Sequence, residues 1–131
     1  MKNKNKSHSV GSYGEQRAVN YLRIRGYTVK ERNYRAGHHE IDIIASRLGV
    51  LAVVEVKARS YHREELDIAP PPRIAVHSDK QRFTRQAARQ YLYEHPSSKK
   101  PRMDLIEVWV DADSPKGRFR TLRINHMKGA Y

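Results

Sequence analysis

The chain has 131 residues, the length of one ordinary domain, with 26 Lys and Arg against 14 Asp and Glu and a formal net charge of +12. Such an excess draws polyanions, nucleic acid phosphates foremost, without separating a nuclease from a ribosome-type protein or a binder of anionic membrane surfaces. Cysteine is absent, which excludes disulfide staples and thiolate zinc sites and leaves oxygen and imidazole as metal ligands.

Residues 1–10 are polar, basic and aperiodic, and read as a flexible basic tail ahead of a single domain over 11–131. No apolar segment of signal or membrane-spanning length follows it, so the expectation is a cytoplasmic protein. Over 11–25 the spacing predicts a helix with Glu15, Ala18, Val19 and Leu22 on one face and Gly26 as its stop. Residues 27–34 read as a strand. The segments 40–46 and 50–58 are rich in β-branched residues and flank Gly49, which predicts a hairpin. The charged stretch 60–77, with Pro70, Pro71 and Pro72, predicts a surface loop of a length that often touches substrate. Ser78 opens a second helix with Gln81 as capping-box partner and Phe83, Ala87, Ala88, Tyr91 and Leu92 as its buried stripe, ending before Pro96. Residues 103–110 predict a strand, 111–117 a turn and 119–124 a final strand.

The hairpin carries the chemistry. Strand side chains alternate faces, so Glu40, Asp42 and Ile44 share one side of its first strand, and Val53, Glu55 and Lys57 share the matching side of its second. A turn centred on Leu48 and Gly49 sets Asp42 opposite Glu55, Glu40 opposite Lys57 and Ile44 opposite Val53. Facing carboxylates repel, and protonation, a basic neighbour or a hard cation relieves them. Mg²⁺ or Mn²⁺ suits two carboxylates plus waters, and beside a phosphodiester it activates water and neutralises charge. Lys57 would orient that water or stabilise the transition state. Taken alone, the same residues also describe a solvated sheet face laced with ion pairs. Glu15, on the inward face of the first helix, is either a further ligand or supporting partner of this cluster, or an acid favoured by the helix dipole.

Arg82, Arg85 and Arg89 form a basic stripe on the second helix suited to phosphates, or an ordinary solvated face. Lys80 lies toward the buried side of that helix start and ranks above these arginines, below Lys57, as a site residue. His38 and His39 read as a turn-exposed pair outside the site, and Tyr91 and Trp109 as core residues.

Across residues 11–110 the order of motifs is specific. It comprises Gly14-Glu15 with Ala18 and Tyr21-Leu22, Gly26-Tyr27, Arg32-Asn33-Tyr34-Arg35, Glu40-Ile41-Asp42, Glu55-Val56-Lys57 with Arg59, Lys80, the 87–92 segment, and Asp104 in Arg102-Met103-Asp104. In these the chain resembles the YraN family of uncharacterised bacterial proteins, which is similar to restriction-endonuclease-like nucleases and archaeal Holliday junction resolvases. The resemblance implies an α/β fold, a mixed sheet flanked by helices in the order helix, three strands, helix, two strands. It further implies Asp42, Glu55 and the Val56 carbonyl around Mg²⁺, Lys57 beside the nucleophilic water, and Glu15 contributing from the first helix. His39 stands where most of the family has Gly, and the Phe-Gly often found after the Lys-Arg segment is missing from 60–77. The function expected is a metal-dependent nuclease of structured or branched DNA, with a homodimer spanning a junction left open. The alternatives are a non-catalytic nucleic-acid-binding module of the same fold and a protein-interaction adaptor whose charge serves solubility.

Overall fold

The computed structural model describes residues 9–66 and 78–131. The expected tail over 1–8, most of the expected loop (67–77) and the Ser78 capping box lie outside the described residues and side chains.

Helix α1 spans Val10–Ile24, and the Ser9 hydroxyl accepts the Ser12 N–H at 2.9 Å. Ser9 and Val10, assigned to the tail by their polar setting, therefore belong to the start of the helix, because a serine hydroxyl satisfies an amide that lacks an intrahelical acceptor. Gly14, Ala18, Val19 and Leu22 form its buried stripe. The helix stops where expected: Gly26 takes φ 89°, the left-handed exit that glycine adopts without steric cost.

The remaining elements are β1 (Thr28–Ala36), β2 (His39–Arg47), β3 (Val50–Tyr61), a 3₁₀ turn (Arg63–Glu65), α2 (Ser78–Glu94), β4 (Lys100–Asp111) and β5 (Thr121–Met127). They build one five-stranded sheet in the order β1-β2-β3-β4-β5. All neighbours are antiparallel except β3 and β4, which run parallel. A parallel pair needs a long crossover, and the connection carrying α2 provides it. Helix, three strands, helix, two strands is the expected mixed α/β arrangement. The last strand starts two residues later than expected and runs to Met127, while β3 continues through Tyr61 into what was read as loop.

Both sheet faces are covered. Ala18, Val19 and Leu22 of α1 pack on Ile43, Ala45, Ala52, Val54, Ile106, Val108 and Val110. Ala87, Ala88 and Tyr91 of α2 pack with Ile44, Leu51, Val53 and Met103. This double burial explains the near-continuous apolar runs of β2 and β3, as strands buried on both faces lose simple alternation. Tyr91 and Trp109 are core residues, as expected. Leu48 and Gly49 form the hairpin turn between Arg47 and Val50, and Ile44 faces Val53 as the register requires. The tip is tied down by the Lys100 N–H, which donates to the Gly49 carbonyl at 2.8 Å, and by Lys99 Nζ, which donates to the Leu48 carbonyl at 3.1 Å. No described helix is long and apolar enough to cross a membrane.

Candidate metal centre and nucleic-acid surface

The β2–β3 ladder ends at Ile43 and Val54. The expected ladder pairs Asp42–Glu55 and Glu40–Lys57 therefore do not form, although the register leading to them is the expected one. Beyond this point β2 stays with β1, down to the pair Ala36–His39, and β3 stays with β4 as far as Tyr61 and Asp111. The two strands part where two carboxylates would otherwise face each other. Asp42 Oδ2 accepts the Val56 N–H at 2.8 Å, so a side chain replaces the missing backbone acceptor. Glu40 is left exposed, and Lys57 turns instead to Glu55, with Nζ 3.7 Å from Oε2.

The gap between the strands gathers most of the expected site. Glu55 is nearly buried, with 16% side-chain exposure, and lies between two lysines: Lys57 on its own strand and Lys80 of α2, whose Nζ is 3.9 Å from Oε1. Lys80 is half-exposed rather than on the buried side of its helix, and its length carries the ammonium to the acid. Asp42 has no such cover. Burial, with repulsion from Glu15 and Glu55 behind it, pushes its pKa up to about 6 from 3.8, against the opposing Val56 hydrogen bond and the more distant Lys80.

Glu15 is within electrostatic reach of Asp42 because α1 approaches β3 closely. Gly14 rests on Ala58, and a Cβ at Gly14 would collide with the Ala58 Cβ. A single hydrogen atom in place of a side chain thus sets the height of the helix that presents Glu15. The oxygens of Glu15, Asp42 and Glu55 do not all come within 4.8 Å of one another. Among the described residues the trio that does is His62, Glu64 and Asp113, all exposed.

The gap suits a hard cation through its donors. Carboxylate oxygens are the appropriate ligands for Mg²⁺, which takes one or two of them and keeps several waters. Val56 adds a third donor: in a strand, N–H and C=O of one residue leave by the same edge, so its carbonyl shares the edge on which its N–H meets Asp42.

Arg82, Arg85 and Arg89 are all exposed on α2. Arg82 is held by Asp79 at 3.2 Å and lies over the Phe83 ring, and Arg85 lies over Tyr131. His38 is exposed in the β1–β2 turn, whereas His39 opens β2 and stacks on Phe83 at 4.2 Å between centroids, which makes it a packing residue between β2 and α2.

Two features escaped the sequence reading. Glu107 sits beside Lys57 in the β3–β4 register with a buried, unpartnered Oε1. Burial raises its pKa against the nearby Arg59 and Lys57 charges. Asp104, singled out only as a motif residue, is fully buried and takes a bidentate grip from Arg102 (2.8 and 2.7 Å), a hydrogen bond from His126 Nε2 (2.8 Å) and the Gly129 N–H (3.0 Å). An aspartate within an apolar strand, two residues after an arginine, was the available signal, but its other partners, His126 and Gly129, lie 22 and 25 residues on and only the fold brings them back.

Fold and site define a class: a mixed α/β protein whose central hairpin splays to collect acids, flanked by lysines, on a basic surface. Residues 14–108 match Uncharacterised protein family UPF0102, and the chain belongs to that family, the YraN family. It is 36% identical over 125 residues to a UPF0102 protein of Chlorobium phaeobacteroides (strain BS1), covering 95% of this chain and 94% of the relative. A UPF0102 protein of Bacteroides fragilis (strain YCH46) is 38% identical over 122 residues, covering 93% and 91%. One of Chlorobium chlorochromatii (strain CaD3) is 39% identical over 127 residues, covering 97% and 94%.

Proposed function

We propose that this protein is a Mg²⁺- or Mn²⁺-dependent nuclease that hydrolyses phosphodiesters of structured or branched DNA. The observation that carries the reading is the parting of β2 and β3 at Asp42 and Glu55, which opens a polar gap inside an otherwise apolar sheet and leaves Asp42 short of positive charge. Asp42, Glu55 and the Val56 carbonyl would hold the ion, with Glu15 supporting Asp42 across the gap. When bound, the ion supplies Lewis-acid neutralisation of the phosphate and lowers the pKa of water.

The other roles belong to side chains. Lys57, tethered to Glu55, presents an ammonium that donates to the attacking water or to a phosphate oxygen as negative charge develops. Lys80 holds the other oxygen of Glu55 and so fixes the carboxylate from the opposite side. Arg82, Arg85 and Arg89, with the net charge of +12, supply sequence-independent attraction for the DNA backbone. The spread of the three carboxylates favours a second reading, a nucleic-acid-binding module in which the acids are structural.

The test is cleavage of a panel of branched and linear DNA with Mg²⁺ or Mn²⁺ by wild type, Asp42→Ala, Glu55→Ala and Lys57→Met, at matched fold stability. Each variant should lose on the order of 10²-fold or more in rate, the scale of removing one charge-stabilising group. Salt-dependent binding without cleavage by wild type selects the second reading. Equal cleavage by wild type and the Asp42 and Glu55 variants places the activity elsewhere and ends the assignment.

A further inference from the structure

At the other end of the sheet lies a pocket of about 590 Å³ lined by Ile24, Arg25, Gly26, Tyr27, Arg47, His126 and Lys128. We infer that it is a second anion site, built for a phosphate of a nucleic acid strand, where Arg25, Arg47 and Lys128 close on one phosphate group or two adjacent ones. The identity of the anion rests on the proposed function; the pocket's affinity for phosphate does not.

Three cations reach this pocket from three elements: Arg25 follows α1, Arg47 ends β2 and Lys128 follows β5. No carboxylate is in its lining, and among the described residues none of the three forms an ion pair. Elsewhere the fold does pair its basic groups, as in Arg102 with Asp104, and Arg63 and Arg120 with Asp111. Converging cations without acids leave an uncompensated positive potential that a concave wall concentrates.

The two guanidiniums are also posed for an anion. Arg25 lies 3.8 Å above the Tyr21 ring and Arg47 5.8 Å from the Tyr27 ring centroid. At 3.8 Å Arg25 is in cation–π contact with its ring, which takes up none of its N–H donors, whereas Arg47 at 5.8 Å is only within reach of its own; the N–H fork of each matches a phosphate. Gly26, at φ 89°, makes the turn that brings the end of α1 beside Arg47.

The floor is fixed. His126, 3% exposed in its side chain, is bonded to Asp104, and the ring of Tyr27 receives Arg102 Nη2 on its hydroxyl at 2.7 Å. The Gly129 N–H, next to Lys128, is pinned to Asp104, and the Ala130 N–H to the Met103 carbonyl at 2.7 Å. The charge of Asp104 is consumed by these donors beneath the surface and does not serve the pocket cations. Arg47 is five residues from Asp42 along β2, roughly 17 Å at about 3.3 Å per residue, and this odd spacing turns the two side chains to opposite faces of the sheet, so the pocket is a site apart from the metal centre.

The full chain is titrated with inorganic phosphate while backbone amide shifts are followed by NMR, and then with a labelled branched duplex in EDTA over a salt series. Saturable shifts centred on Gly26, Tyr27 and Lys128, abolished in Arg25→Gln/Arg47→Gln, support the site; absent or scattered shifts overturn it whatever the nuclease assay shows. In the duplex arm the double variant should bind at least tenfold more weakly at moderate salt. Its slope of log affinity against log salt should be shallower by about one to two, near 0.9 for each phosphate that is no longer neutralised. The control Lys116→Gln/Arg118→Gln removes the same charge from exposed positions away from the pocket and should barely change either. An equal effect in both double variants reduces the pocket to net charge and overturns the inference. Phosphate shifts with unaltered duplex binding overturn its nucleic acid part. A loss of cleavage confined to the Asp42 and Glu55 variants, with binding intact, reads the metal centre separately.

Discussion

Replacing Asp42 by Asn removes one negative charge from the strand gap while keeping an oxygen for the Val56 N–H, which isolates the electrostatic state of the site from its shape. Asp42 has a pKa near 6 in the folded chain, against 3.8 ordinarily, with burial the largest cause. A carboxyl raised in this way stabilises the fold while protonated, below its unfolded pKa, and that contribution is lost as pH rises through the folded value. The rise corresponds to about 3 kcal/mol at about 1.4 kcal/mol for each pH unit; solvent reaching the partly open gap reduces the expected effect to about 1–2 kcal/mol. Urea denaturation in EDTA should therefore show wild type and Asp42→Asn nearly equal at pH 4 and the variant more stable by that amount at pH 7.5. Mg²⁺ should close the difference by stabilising wild type alone, since a ligand at one hundred times its Kd adds about 2.7 kcal/mol to the state that binds it. An advantage of the variant that does not change between pH 4 and 7.5, or Mg²⁺ stabilisation equal in both proteins, would refute the reasoning.

Gly14→Ala drives a methyl group into Ala58 and should cost about 1–3 kcal/mol in chemical denaturation, while Gly11→Ala, with only the Ser9 hydroxyl oxygen at 3.9 Å, should be neutral or stabilising. Leu48 holds φ 54° at an exposed turn, so Leu48→Gly should not destabilise and Leu48→Asn should raise stability by about 1 kcal/mol, read as a higher melting temperature. Asp104→Ala strands Arg102 and His126 and should cost about 3–5 kcal/mol. Burial alone would raise Asp104, but its hydrogen bonds from His126, Arg102 and Gly129 outweigh it and hold the pKa low. Its contribution is thus present above the ordinary aspartate pKa and should disappear as acid denaturation falls through the depressed value.

The hairpin shows how far local pattern reaches. Leu48 and Gly49 mark the turn, and the alternation of Asp42, Ile44, Val53 and Glu55 sets the register that β2 and β3 adopt. Their parting beyond the Ile43–Val54 pair, toward Asp42 and Glu55, was not legible, because it depends on β1 and β4 each retaining one strand and on Val56 finding a side-chain acceptor. Ser9 was missed for the opposite reason: its capping bond is local, but a polar serine beside a basic tail looks the same with or without a helix behind it. Lys80 and Glu55 lie 25 positions apart, and nothing in their spacing reports that α2 crosses back over the gap.

Composition, period and motif order by themselves determined the excess of basic charge, the sequence of helices and strands, the family and the residue types of the candidate centre, because each rests on neighbours along the chain or on counts. Tertiary structure alone decided which strands separate, which acid keeps a lysine and which does not, and where Asp104 finds His126 and Gly129. Those outcomes depend on burial and on distances between remote segments, and both come into being only when the sheet closes between its two helices.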